Sequence, residues 1–218
     1  MPRAPRERPL RGLYVIIDPQ AIEGRDPLAV AEGALRGGAA VLQLRDKVHL
    51  KGEQLAIARE IGRLCREAGA LFIVNDHVDL ALAAKADGVH LGRKDLPVAA
   101  ARAIAPDIII GASTNNVAEG REAQAAGADY VAVGSIFPTA SKADIRPASL
   151  KVLRQVKGAV AIPVCAIGGI NEGNIGLVVA AGADMAAVIS AVAGAPDVEA
   201  AARRLKEKME ACKLFQQE

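Results

Sequence analysis

Tryptophan is absent from this 218-residue chain, and two tyrosines and three phenylalanines are its whole aromatic content. Stacking single-stranded nucleic acid takes several exposed rings, so that class of function is excluded. Charge of one sign is missing too: 27 basic residues face 25 acidic ones, a formal net of +2. Such a balance lacks the field of a dedicated nucleic-acid binder. Cysteine is scarce and odd in number, and Cys65, Cys165 and Cys212 stand far apart. That fits neither a disulfide framework nor a zinc knuckle and points to a reduced, cytoplasmic setting. No apolar run approaches the ~18 residues of a membrane span, and the basic opening has no apolar segment behind it, so no membrane association or export is expected. The Arg/Pro-rich residues 1–10 are expected to be a disordered tail, a nucleic-acid- or partner-binding arm being the sharper alternative.

What is present is Ala, Val, Ile and Leu, arranged as short β-type runs alternating with longer helical ones. The strands are expected at Leu13–Ile17, Ala40–Leu44, Leu71–Val74, Gly88–Leu91, Ile108–Gly111, Tyr130–Val133, Ile162–Ile167 and Met185–Ile189. Helical periodicity marks Leu28–Arg36, Gln54–Glu67, Val117–Ala126, Leu150–Val156 and Asn174–Ala180. Strict alternation argues for parallel strands with helical crossovers. An internal echo supports this: Lys85-Ala-Asp-Gly-Val-His-Leu-Gly92, Ala126-Gly-Ala-Asp-Tyr-Val-Ala-Val-Gly-Ser135 and Ala181-Gly-Ala-Asp-Met-Ala-Ala-Val-Ile-Ser190 share one pattern, and Arg36 to Arg45 is a looser copy. Eight such units make an α/β chain with a single-domain (β/α)8 TIM barrel over residues 11–218. The alternative, an open doubly wound sheet, wants a Gly-rich turn after its first strand. Asp18-Pro19-Gln20 stands there instead.

In a barrel, chemistry gathers at the C-terminal strand ends. Polar residues stand at all eight, among them Asp18, Asn75-Asp76, Asp95, Ser113-Thr114 and Gly168-Gly169. Gln43, Arg45 and Lys47 are spaced by two, which throws all three to one side, and Val41 on the same side suggests a row climbing out of the interior. An interior amide and two cations call for an anion. Asp76 and Asp95 read either as helix caps or as the few carboxylates that Mg2+ takes from protein. His49, His77 and His90 have no ligand spacing for zinc. Gly168-Gly169 and Ile189-Ser190 follow strands seven and eight, the recurrent phosphate site of this architecture, although Gly-Gly also reads as a plain turn. Lys142 lies in a long loop where a closing lid would sit. No lysine falls within an expected strand, which disfavours a Schiff-base aldolase. Two anionic groups held at once favour a transfer between two phosphorylated substrates.

The runs Gln43-Leu-Arg-Asp-Lys47, Asn75-Asp76-His-Val-Asp79, Asp87-Gly-Val-His-Leu-Gly92 with Asp95-Leu-Pro97, Gly134-Ser-Ile-Phe-Pro-Thr139 with Lys142, and Ile167-Gly-Gly-Ile170 resemble the thiamine phosphate synthase family over residues 11 to 205. The resemblance implies condensation of 4-amino-2-methyl-5-hydroxymethylpyrimidine diphosphate with 4-methyl-5-(2-hydroxyethyl)thiazole phosphate, releasing diphosphate. It implies Mg2+ on Asp76 and Asp95. It implies that Gln43, Leu44, Arg45, Asp46, Lys47, Asn75, Ser113 and Lys142 hold the pyrimidine diphosphate, with Arg45, Lys47, Ser113 and Lys142 assisting catalysis. Thr139, Ala140, Ser141, Gly169, Ile189 and Ser190 would hold the thiazole phosphate. The chain departs from the family in reading Thr-Ala-Ser-Lys where a second Thr is frequent, and in placing Arg93-Lys94 before Asp95. Rival readings are the thiazole tautomerase relative, an isomerase that binds only the thiazole half, and a non-catalytic sensor of thiamine precursors. A homo-oligomer stays open. With so few aromatics, both substrate rings are expected to rest on aliphatic walls and polar edges.

Overall fold

The structure, a computed structural model, describes residues 8–139 and 146–214. Eight parallel strands close into a barrel in sequence order: β1 (Gly12–Ile17), β2 (Val41–Leu44), β3 (Leu71–Asn75), β4 (Gly88–Leu91), β5 (Ile109–Thr114), β6 (Tyr130–Val133), β7 (Val164–Ile167) and β8 (Met185–Val188). The helices are α1 (Pro27–Arg36), α2 (Lys51–Ala68), α3 (Val78–Ala83), α4 (Val98–Ile104), α5 (Val117–Ala125), α6 (Leu150–Ala159), α7 (Ile175–Ala180), α8 (Ser190–Ala193) and α9 (Val198–Leu214). No described helix is long and apolar enough to cross a membrane.

Local chemistry sets these bounds. Asp26 caps α1, its side chain accepting from the Leu28 N–H, and Pro27 opens the helix where no N–H is missed. Gly69 ends α2 at φ 70°, a left-handed position that a Cβ would strain. β7 starts at Val164, two residues later than expected, because Pro163 has no N–H to give a ladder. β5 runs three residues beyond its expected end, so Ser113 and Thr114 belong to the strand.

Strand alternation divides the core in two. Tyr14, Ile16, Val41, Ile73, Tyr130 and Met185 point inward, whereas Val15, Leu42, Leu44, Val74 and Val131 pack between barrel and helices. Of the expected tail, residues 1–7 lie outside the described residues. Its last three residues lie against the barrel. Leu10 is buried with the inward set, and Arg8 donates to the Ala70 carbonyl and the Asp87 carboxylate.

The repeated Asp has one job in each copy. Asp87, Asp129 and Asp184 precede β4, β6 and β8 and accept an amide at the start of the strand before, Phe72 (2.8 Å), Ile110 (2.8 Å) and Val164 (2.7 Å) respectively. Each is neutralised by a cation: Arg8, Arg102 and Lys157 respectively. The looser copy has Ala40 in that place, packed beside Gly12.

Candidate active site

The C-terminal strand ends surround a pocket of about 400 Å³. Its floor is a chain of hydrogen-bonded side chains that alternation turns inward. Gln43 Nε2 donates to the Tyr14 hydroxyl at 2.7 Å, and the Tyr14 and Tyr130 hydroxyls lie 3.1 Å apart. His90 sits between Tyr130 and Ser113, with Nδ1 2.9 Å from the Tyr130 hydroxyl and Nε2 2.9 Å from Ser113 Oγ. Its ring stacks on Tyr130 at 5.5 Å between centroids. Burial raises both tyrosine pKa values far above the usual phenol range, so the hydroxyls stay neutral donors and acceptors. Both tyrosines of the chain are therefore at the site, which corrects the expectation of aliphatic walls. Ile16, Ile167 and Ile189 supply the aliphatic part.

One rim carries the charged set, of which only Asp95 lines the pocket itself, Arg45, Lys47, Asn75 and Asp76 lying beyond its lining. Lys47 Nζ donates to Asp76 at 2.5 Å, and Asp76 in turn hydrogen-bonds with Asp95. Burial and the facing Asp76 carboxylate push the Asp95 pKa up. For Asp76 burial acts upward as well, but the bonds from Lys47 and Asp95 outweigh it, and its pKa lies below the usual range. The Gly92 N–H donates to Asp95 at 2.7 Å. Neither aspartate is a helix cap: His77 and Pro97 precede α3 and α4. Asp76 instead holds a left-handed backbone, φ 64°, which costs energy for a residue with a Cβ and presents its carboxylate to the rim. Two carboxylates held this close with a lysine against them form a donor set that suits a hard divalent cation completing its shell with water and substrate oxygens. Among the described residues no group of three or more His, Cys, Asp or Glu side chains is placed to hold a metal ion by itself.

The remaining β2 residues divide. Arg45 is aimed by Asp18, a 2% exposed carboxylate at the end of β1 that forms an ion pair with it. Asp46 does not offer its carboxylate to a ligand, because it accepts from the Val48 and His49 amides and bonds the His49 ring, which shapes the loop. Burial raises the Asp46 pKa, but these bonds overcome it and hold it low. Leu44 points its side chain into the outer core, leaving only its backbone for a ligand. Asn75 ends β3 in a buried position.

Across the pocket stand Thr139, Gly169, Ile189 and Ser190. Gly168 (φ 101°) and Gly169 (φ 63°) lie so close to Ser135, Phe137 and Pro138 that a Cβ at either would collide with them. Close approach, and not only turning, requires the pair. Ala140, Ser141 and Lys142, with the expected lid, fall outside the described residues.

The sequence reading did not single out Tyr14, His90, Tyr130, Asn115 or Arg146, all of which line the pocket. Alternation carried one residue further held the signal for three of them: Tyr14 shares the side of Ile16, His90 lies two before Gly92, and Tyr130 two before Ala132. Nothing local marks Asn115 or Arg146.

Comparison with known proteins agrees with this geometry. The family described as thiamine monophosphate synthase matches residues 13–192. A thiamine-phosphate synthase of Moorella thermoacetica is 51% identical over 89% of this chain and 94% of its own. One from Pyrococcus abyssi is 46% identical over 91% of this chain and 94% of its own. The solved thiamine phosphate pyrophosphorylase from Pyrococcus furiosus superposes with a TM-score of 0.87, at 44% identity over 92% of this chain and 96% of that one.

Proposed function

Because the chain belongs to the thiamine monophosphate synthase family, we propose how its pocket divides between the two substrates of that reaction. The chain is an enzyme that joins the pyrimidine diphosphate to the thiazole phosphate, giving thiamine phosphate and diphosphate. The observation that carries the division is a pocket lined by Asp95, Gly169 and Ser190 together, with Lys47 and Asp76 joined to it through Asp95.

In this reading Arg45, Lys47, Asn75 and Lys142 bind the diphosphate, and Gln43 and Ser113 address the pyrimidine edge from the floor. Leu44 and Asp46 act through the backbone and shape of their loop. Thr139, Ala140, Ser141, Gly169, Ile189 and Ser190 take the thiazole phosphate, largely through backbone N–H groups. Asp76 and Asp95 hold Mg2+, which when bound supplies positive charge beside the leaving diphosphate. In this reading the cations Arg45, Lys47 and Lys142 offset the negative charge that grows as the carbon–oxygen bond breaks with its electron pair on diphosphate, a preorganised stabilisation. The thiazole nitrogen, oriented through its remote phosphate, then bonds the electron-poor methylene carbon. In this reading no proton has to be moved by a side chain.

The tautomerase reading leaves the Lys47, Asp76 and Asp95 cluster without a task. We place the enzyme in the cytoplasm, a reading supported by the free Cys65, Cys165 and Cys212. Asp76→Ala or Lys142→Ala is expected to lower turnover at least 100-fold (~3 kcal/mol in barrier) while leaving the melting temperature nearly intact. Diphosphate release from the two substrates with Mg2+ measures this. Near-wild-type turnover in either variant would overturn the residue assignment, and release of no diphosphate by the wild type would favour a sensor.

A further inference from the structure

The pocket wall between the metal-binding rim and the thiazole phosphate side converges on one carboxylate that has no place in the assignment above. Glu119 lies in the first turn of α5 and is only partly exposed. It accepts two bonds from Arg146, at 2.9 and 3.2 Å, and one from Arg93 at 3.3 Å. It also accepts the Asn115 N–H at 2.8 Å, while its own N–H donates to Asn116. Burial would raise its pKa, but Arg146 and the Asn115 amide prevail, and the carboxylate is held below its usual range. A helix-capping glutamate needs only the Asn115 bond. Both arginines are extra to that role, and both line the pocket.

The two arginines belong to different loops. Arg93 is two residues before Asp95, in the loop after β4. Arg146 lies in the loop between β6 and α6, and its backbone is tied back to the strand end. Its carbonyl accepts from the Ser135 N–H at 2.8 Å and from Asn115 Nδ2 at 3.1 Å. Asn115 Nδ2 also reaches the Gly134 carbonyl at 2.9 Å, and the Ala148 N–H donates to the Ser135 carbonyl at 2.8 Å. One end of the β6 loop is thus clasped by Asn115 through its backbone and by Glu119 through its side chain, and the same Glu119 touches the Asp95 loop.

We propose that Glu119 is a positioning residue for the condensation: through Arg146 and Arg93 it holds the loops after β6 and β4 in register with each other. The Asp95 loop and the described ends of the loop after β6 are then set by a group that touches neither substrate. This rests on the substrate assignment above. Misplacing charged groups by a fraction of an ångström costs the chemical step more than it costs binding.

Glu119→Gln is the informative change, since the amide oxygen can still accept the Asn115 N–H while both ion pairs are lost. The expected result is a fall in kcat of about tenfold with both KM values within threefold and a nearly unchanged melting temperature. The double variant Glu119→Gln/Arg146→Gln should be no slower than Arg146→Gln alone, because residues acting as one unit are not additive. Amide exchange at Ser135 and Ala148 should accelerate in Glu119→Gln even without substrates. Unchanged kcat with unchanged exchange, or effects that multiply in the double variant, overturns the proposal. If the wild type releases no diphosphate, the substrate assignment fails instead, and the exchange measurement alone still decides whether Glu119 holds the loop.

Discussion

Gly111 leaves no room for even a methyl group: a Cβ there would meet the Tyr130 ring that forms the pocket floor. Gly111→Ala should therefore cost about 1–3 kcal/mol, as overpacking does, and tilt the Tyr130 and His90 stack. Chemical denaturation gives the first effect. Weaker saturation by the pyrimidine substrate, with the thiazole substrate little affected, gives the second, and an alanine variant of wild-type stability would show that the ring can move aside. The same neighbourhood marks the limit of sequence reading. Gln43 was legible because a polar residue in an apolar strand is conspicuous, and Ser113 because it follows one. Tyr14 and Tyr130 were not, since a tyrosine in a strand is ordinary and only closure of the ring brings the two hydroxyls within 3.1 Å. Scarcity of aromatics along the chain does not imply their scarcity at one point in space. Asp46 shows the opposite limit: it lies within the same run, yet its carboxylate is taken up by the Val48 and His49 amides, which sequence spacing does not reveal.

The strands and most helices were readable from apolar alternation, with bounds moved by a residue or a few where Pro163 or a cap intervened. The recurring Ala-Asp marked the repeat, but its purpose needed coordinates: a carboxylate immediately before the strand satisfies an amide at the start of the preceding strand and a cation together. Asp129 is the best-connected case, with Arg102 also donating to the Gly127 and Ile108 carbonyls. Asp129→Ala strands that amide and guanidinium and should destabilise by about 1–3 kcal/mol. Because it lies at the end of the barrel remote from the pocket, kcat should stay within twofold. A large kcat loss with unchanged stability would contradict a purely scaffolding role.

The family, the barrel and the order of its strands followed from the sequence as a whole, since each βα unit repeats the same local logic. What no local window contained was the pairing of distant loops at the rim, Lys47 with Asp76 and Arg93 with Arg146 through Glu119. Those contacts exist only because eight strands share an axis.

The missing fourth aspartate has its own consequence. Three neighbouring strand pairs are pinned at their N-terminal ends by Asp87, Asp129 and Asp184, while Ala40 leaves that end of β1 and β2 with backbone bonds alone, their side-chain bonds, Gln43 to Tyr14 and Arg45 to Asp18, lying toward the pocket. The ring therefore has a seam, and native-state hydrogen exchange should open there first, with Val15 and Leu42 exchanging at lower free energy than Val131. Equal protection around the ring would remove the idea. Gln43, Arg45 and Lys47 all hang from that seam, so a ligand gripped by them would act as the absent clasp, and the slack quarter of the barrel would tighten only when the enzyme is loaded.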